Sequence, residues 1–415
     1  MSISTMRGNA LDIMNQRPHS HIAPRALALA ATLTLLTLPA SVNAQSNVTL
    51  YGTIDSGFVH ANHTLTENGP QSASSITSNI IGGSRWGLRG TESLGRGLSA
   101  LFQIESGFNA VNGTLGNGGL AFGRKAIVGL RGDEWGEVTI GRQYDPVVNL
   151  VQGLTADGYF GGFFATPGDV DNYDNSARIN NAVRYATPNF GGLQFEGMYA
   201  TGNVAGKNGA GRSYGLAGAY SNGPIVLAAG YFFADGGSRE DPNLYGTGDR
   251  VWTSSAGSLF NSPINAGFRT ASNVRIARVA AKYAIGPAIL GVSYSNAQYG
   301  SDNMSSFDGT AKFDTINTFA TYALTPALNT GLGYSYTRMR GNGTLGAHYN
   351  QFNAGVTYAL SKRTSTYVIG GYQQAVGKTQ GYGGAVEASA SVGSYGVDAG
   401  ARTQLLVGMG LKHSF

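Results

Sequence analysis

Residues 403–415, TQLLVGMGLKHSF, decide the fold. Leu405, Val407, Met409, Leu411, His413 and the terminal Phe415 share one face of a strand, and Gln404, Gly408, Gly410, Lys412 and Ser414 share the other; only Leu406 breaks the alternation. A period of two across a whole strand means that one face meets something apolar and the other something polar. The strand also ends the chain on an aromatic residue, where a free end would normally fray. An ordered final strand of this length must be paired, and its natural partner is the first strand of a closed barrel.

Composition points the same way. The chain has 415 residues, no cysteine, 63 glycines, 22 tyrosines and only 12% charged residues, against about a quarter charged in an ordinary soluble domain. Outside the N-terminal region no run reaches the ~18 apolar residues of a membrane helix. In lipid only helices and closed barrels satisfy every backbone polar group, so charge depletion without a spanning helix predicts a transmembrane β-barrel. Absence of cysteine fits a wall held by hydrogen bonds in an oxidising compartment.

At the N-terminus Arg17 and Arg25 precede an apolar stretch from Ala26 to Leu38, then Pro39 and the small-x-small triplet Val42-Asn43-Ala44. This is the pattern of an export signal. Residues 1–44 are expected to be a cleaved signal peptide and residues 45–415 the barrel, with Gln45 as the mature start and Met14 as an alternative initiator. Removing the leader leaves 25 basic against 22 acidic residues. That balance is dispersed along the chain, unlike the basic patch or stripe of a nucleic-acid binder, so no nucleic acid is expected as partner.

From Val48 onward the chain reads as alternating segments of about ten residues, separated in turn by tight turns and long glycine-rich stretches, which is the outer-membrane barrel pattern. Sixteen strands are predicted, near 47–61, 81–92, 97–107, 122–132, 136–145, 179–189, 192–201, 213–222, 225–234, 274–284, 287–298, 313–324, 328–339, 349–360, 364–375 and 403–415. An even number lets the two ends meet. The long connections fall at 62–80, 108–121, 146–178, 202–212, 235–273, 299–312, 340–348 and 376–402, all on one side. On the other side Tyr185, Tyr220, Tyr283, Tyr322 and Tyr358 each precede turn-forming residues, predicting an aromatic girdle at the periplasmic interface. A soluble β-propeller would also repeat short strands, but it explains neither the leader nor the aromatic terminus.

Five strings in order, NVTLYGTIDSG (47–57), SRWGLRGTESLGRGL (84–98), FGRKAIVGLRGDEWGEVTIGRQYD (122–145), YALSKRT (358–364) and GLKHSF (410–415), resemble the general-diffusion porins of Gram-negative bacteria, especially the betaproteobacterial type. The resemblance spans nearly the whole mature chain. It implies an all-β, sixteen-stranded antiparallel barrel whose third loop folds inward, a homotrimer in outer-membrane lipid, and a water-filled channel for ions and small hydrophilic solutes. It assigns the constriction wall to Arg85, Arg124 and Arg184, on the second, fourth and sixth strands, facing acidic groups on the loop. Strand alternation supports the first, because Trp86 and Leu88 facing lipid turn Arg85 and Arg89 inward. Arg142 is expected to add flanking lumen charge with Arg89.

The third loop, PVVNLVQGLTADGYFGGFFATPGDVDNYDNSA from residue 146, is too long for a passive connection. YFGG at 159–162 resembles the family's loop tip, in which an acid commonly precedes the phenylalanine. Here Tyr159 takes that place and Asp157 is the acid left close by, so Asp157 and Tyr159 are the loop residues expected opposite the arginines. Asp169, Asp171 and Asp174 are expected farther along, where the loop returns to the wall. Their spacing lacks the glycine and closing glutamate of a calcium loop, and no metal or cofactor is expected. The second loop, VNGTLGNGG, lacks an acid with which to latch a neighbouring subunit.

A passive channel needs a polar lumen, a constriction and charge, not a catalytic constellation. An outer-membrane hydrolase would need a nucleophile with a histidine base; after the leader only His60, His63, His348 and His413 remain, with no nucleophile motif beside them. The chain is expected not to be an enzyme. The nearer alternative is a substrate-selective channel for a sugar or other small nutrient, which would use an aromatic track; Tyr159, Phe160, Phe163 and Phe164 are the dense candidates, and anchoring the loop is their simpler use. With three wall arginines facing one acid, the expected pore is anion-preferring or weakly selective.

Overall fold

The computed structural model describes residues 47–203, 205–206, 209–236 and 255–415; the expected leader and the expected cleavage site before Gln45 lie outside them. In chain order the strands are β1 (Asn47–Thr66), β2 (Gly69–Ser78), β3 (Arg85–Gly95), β4 (Leu98–Gly107), β5 (Lys125–Gly132), β6 (Gly136–Gln143), β7 (Ile179–Ala186), β8 (Leu193–Ala200) and β9 (Ser213–Asn222). There follow β10 (Ile225–Asp235), β11 (Asn273–Ile285), β12 (Ala288–Gly300), β13 (Ala311–Ala323), β14 (Leu328–Arg340), β15 (Gly346–Ala359), β16 (Thr364–Gly381), β17 (Gly384–Glu387) and β18 (Thr403–Ser414). Sixteen of these form the wall, each pairing antiparallel with its neighbours; β2 and β17 are hairpin partners that extend β1 and β16.

The last strand closes the barrel on the first, in register from Thr53↔Ser414 to Ala61↔Leu406. Gly52 and Phe415 exchange both backbone hydrogen bonds at 3.0 Å. The Phe415 ring lies on Gly52, where an added Cβ would sit 2.3 Å from it. Along β18 Leu405, Met409 and Leu411 are exposed on the outer face while Gln404 and Leu406 are fully buried on the inner one. The outer surface of the other strands carries the same apolar band, for example Val128, Ile140, Leu216, Val292, Leu332 and Val368, and the five turn tyrosines are exposed at its edge. No helix among the described residues is long and apolar enough to cross a membrane; the chain crosses as strands.

Two predicted connections are partly strand. β1 runs on to Thr66 and turns back as β2, and β16 runs on to Gly381 and turns back as β17. Beyond the lipid both faces of a strand are wet, so the apolar alternation stops while the pairing continues. The wall arginines of the predicted second, fourth and sixth strands accordingly belong to β3, the entry to β5, and β7.

The connection from β6 to β7 packs against the inner face of the wall. Asp145 caps its first helix, α1 (Pro146–Val151), with Oδ1 accepting from the amides of Val147 at 2.8 Å and Val148 at 3.1 Å. A second turn, α2 (Asp157–Phe160), presents Phe160 to the wall. Phe160 sits over Gly331 and Gly355, where added Cβ atoms would lie 2.0 and 2.7 Å from its ring. Phe160, Phe163 and Phe164 are at most 1% exposed and join Ile80, Ile369, Val392 and Leu406 in one cluster. The loop backbone is satisfied by inward amides: Gln351 Nε2 donates to the carbonyls of Phe163 at 3.1 Å and Ala165 at 2.9 Å, and Asn353 Nδ2 to Phe163 at 2.7 Å.

Candidate functional site

On the opposite side of the loop an irregular cavity of about 780 Å³ remains, lined mainly by polar groups. Its basic residues are Arg85, Arg124, Lys125, Arg178 and Lys412; its acids are Asp157 and Asp174. β3 and β18 bring Arg85 and Lys412 to it, the entry to β5 brings Arg124 and Lys125, and the loop's return brings Arg178.

The wall side is a connected network. Arg124 Nε donates to Glu105 Oε1 at 2.7 Å, and Arg85 Nε stands 3.8 Å from Glu105 Oε2. Tyr51 also donates to Glu105, at 2.9 Å. Arg124 Nη2 and Arg178 Nη2 both donate to the Tyr144 hydroxyl, at 2.9 and 3.2 Å. One buried carboxylate therefore fixes two arginines, and one phenol spaces two guanidinium groups that would otherwise repel.

On the loop side burial weakens the charged forms of both acids. Asp157 is buried and accepts from Gln152 Nε2 at 2.7 Å and Thr155 Oγ1 at 2.5 Å. Burial, and then the neighbouring Asp174, push its carboxyl well above the usual range. Asp174, which accepts from Ser394 Oγ at 2.5 Å, is pushed up by burial as well. A carboxyl shifted toward its acid form keeps its hydrogen bonds while contributing less field.

The expected constellation is thus only partly gathered. Arg85, Arg124 and Asp157 line one cavity. Arg184 is held by Glu137 Oε1 at 2.7 Å and Glu196 Oε1 at 2.8 Å, and lines an adjoining cavity with Arg89, Arg131 and Glu137; Lys125 lines both. Arg89 lies over the Tyr51 ring, 5.3 Å from its centroid. Arg142 donates to the Gly123 carbonyl at 2.8 Å and stands beside Asn180. Tyr159 turns away from the arginines and packs on Phe319, ring centroids 5.4 Å apart, with Lys282 Nζ 5.8 Å from its own ring. The one-turn helix sends Tyr159 to the far wall and leaves Asp157 toward the cavity.

Asp174 lines the same cavity as Asp157, whereas Asp169 holds the loop and Asp171 fastens it to itself and to the wall. Asp169 accepts from the Asp174 amide at 2.8 Å, and Asp171 from Thr166 Oγ1 at 2.6 Å and from Ser295 Oγ. Sequence reasoning missed Lys125, Arg178, Glu105 and Tyr144. It had placed Lys412 on the polar face of the last strand without assigning it to the site.

The profile of the Gram-negative porin family matches residues 26–378. The chain belongs to that family. An outer membrane porin protein of Bordetella pertussis is 38% identical over 178 residues, 40% of this porin and 46% of the relative. This porin spans about half the length of the curated relatives it matches first. Among solved structures, an anion-selective porin from Comamonas acidovorans has a TM-score of 0.68 at 24% identity, covering 89% of this chain and 100% of that one. The trimer form of an outer membrane protein of Vibrio cholerae has a TM-score of 0.60 at 18% identity, covering 89% and 99%. The porin fold and outer-membrane location follow from the family and the closed barrel.

Proposed function

We propose that the protein is a passive, anion-preferring channel for ions and small hydrophilic solutes. The observation that carries the reading is the imbalance at the cavity beside the third loop: five basic side chains line it against two carboxyl groups, both pushed toward their neutral forms by burial. Fixed charge acts strongly there, because low-dielectric walls focus the field and the passage is of the order of the ~8 Å Debye length at physiological salt. A hydrolytic alternative draws less support: the two histidine–hydroxyl contacts, His60 Nδ1 to Ser74 Oγ and His413 Nδ1 to Thr364 Oγ1, both 2.9 Å, are exposed and lie outside the cavity lining.

A sugar-selective channel draws less support. Phe160, Phe163 and Phe164 are buried between loop and wall, which leaves them no face for a saccharide. The resemblance to trimeric porins supports a homotrimer, with loop 108–121 reaching a neighbour through backbone and apolar contacts.

The test is the zero-current potential of purified protein in a planar bilayer across a potassium chloride gradient. The sign for chloride preference is expected. A cation-preferring potential would sink the reading.

A further inference from the structure

We infer that Arg278, on the far wall and outside the passage, is the positioning residue of the third loop, whose charge ties the loop's outgoing and returning limbs to the barrel. On the inner face of β11 it stands between Ile276 and Ala280, both at most 2% exposed, and is itself 3% exposed. An inward guanidinium on an otherwise dry stripe is costly, since burying a charge without a paired partner forfeits its hydration. Its Nε and Nη2 find no hydrogen-bond acceptor. Such a residue is poorly explained as packing.

What it touches is the loop. Nη1 donates to the Asn172 carbonyl at 3.2 Å, and the guanidinium lies 4.5 Å from the centroid of the Tyr173 ring. Tyr173 in turn donates to Asn317 Oδ1 at 2.9 Å. Asn172 Nδ2 donates to Asp145 Oδ2 at 3.0 Å, and Asp145 is the residue that caps α1. Wall, returning limb and outgoing limb form one circuit through Arg278, Asn172 and Asp145.

Register places this circuit on a line across three strands. Gly230 of β10 is opposite Arg278, and Ser295 of β12 is opposite it on the other side. A Cβ on Gly230 would come 2.9 Å from Val147 Cγ2 of α1, and Ser295 donates to Asp171. The loop therefore crosses the wall on a seat made of a gap, a cation and a hydroxyl. Burial raises the carboxyls of Asp145 and Asp157, and Arg278 draws both back down, so the guanidinium also offsets the cost of the acids the loop brings with it.

The gating consequence rests on the channel reading above; the seating itself does not. Arg278→Met keeps most of the length and removes the charge, whereas Arg278→Lys keeps the charge. Hydrogen exchange of the detergent-solubilised protein is the first measurement: in the Met variant the amides of 147–160 are expected to exchange at least tenfold faster, with the strands unchanged, and Lys should restore most of the protection. In bilayers the Met channel should close at least tenfold more often at a given voltage, and the Lys channel should stay near the unmodified rate. Met exchanging like the unmodified protein, or Lys behaving like Met, overturns the assignment. Should the Met chain fail to reach the folded barrel, Tyr173→Leu removes the ring beneath the guanidinium and is expected to loosen the same amides; unchanged protection there overturns it equally. Absence of any conductance in the unmodified protein would count against the channel reading and leave the exchange result standing.

Discussion

The two sides of the lumen use one strand geometry to opposite ends. Along β3, the entry to β5 and the end of β18, inward positions carry Arg85, Arg124, Lys125 and Lys412 and border open space. Along β14 to β18 they carry Gly331, Gly355, Gln351, Asn353 and Leu406 and are covered by Phe160, Phe163 and Phe164. An inward position is therefore not the same as a wet one. On the covered side glycines make room for rings, and amides supply the partners that a buried loop backbone requires. Of the wall's inward charges, Arg85, Arg124, Lys125 and Lys412 border the open cavity, whereas Arg278 is buried.

The comparison breaks most readily at Phe160. Phe160→Ala empties the site over Gly331 and Gly355, a loss of about 3–5 kcal/mol for a buried phenylalanine. The loop should come off its seat and single-channel current should become larger and noisier. Unchanged conductance and noise would mean that the covered side does not hold the constriction.

A second set of variants ranks the wall charges. A unit charge acts on an ion about 4 Å away with about 1 kcal/mol even at the dielectric of bulk water, roughly a fivefold change in relative permeability. Arg124→Ala should lower anion preference by at least that, because it also strips Glu105 of its 2.7 Å partner. Lys412→Ala should do less. Arg184→Ala, with its charge already paired with Glu137 and Glu196, should scarcely move the zero-current potential. An Arg184 effect equal to that of Arg124 would reinstate it in the constriction.

A smaller effect should come from pH. Burial, and then Asp174 and Asp171, push Asp169 up to about 7, and Asp157 and Asp174 move in the same direction. These carboxyls bind their protons more tightly in the folded loop than in an unfolded chain. Their contribution to seating is full below about pH 4 and is lost as pH rises through their raised values, about 7 for Asp169, while the added negative charge offsets the basic wall. Anion preference should be higher at pH 5 than at pH 9, and Asp157→Asn with Asp174→Asn should flatten the profile; a flat profile in the unmodified protein would contradict the burial of these acids. Smallest of all, Tyr159→Phe should leave selectivity unchanged, since the ring packs on Phe319 away from the arginines.

What could be read in the sequence was whatever lipid imposes. The sixteen wall strands and the closing role of residues 403–415 follow from alternation against an apolar solvent. The hairpins β1–β2 and β16–β17 escaped because they leave that solvent. Arg85 and Arg124 were legible through alternation and motif. Their counter-ion Glu105 was not, because the pairing crosses strands and depends on register. The partners of Arg184 were hidden for the same reason: nothing near it in sequence announces that Glu137 and Glu196 converge on it. Lys412 was already visible on the polar face of the last strand, and only the closure of β18 beside β1 told where that face looks.

Leu406, the residue that interrupts the final strand's alternation, belongs to the same cluster as Phe163 and Val392, and Phe163 also lies 3.5 Å from the Cβ position of Gly408. Part of the loop's seat is thus delivered by the strand that closes the barrel. Contacts so distant in sequence form late. A barrel open at that seam would lack Leu406 and Gly408 from the loop's seat, so the closure that seals the wall also completes the support of the restriction.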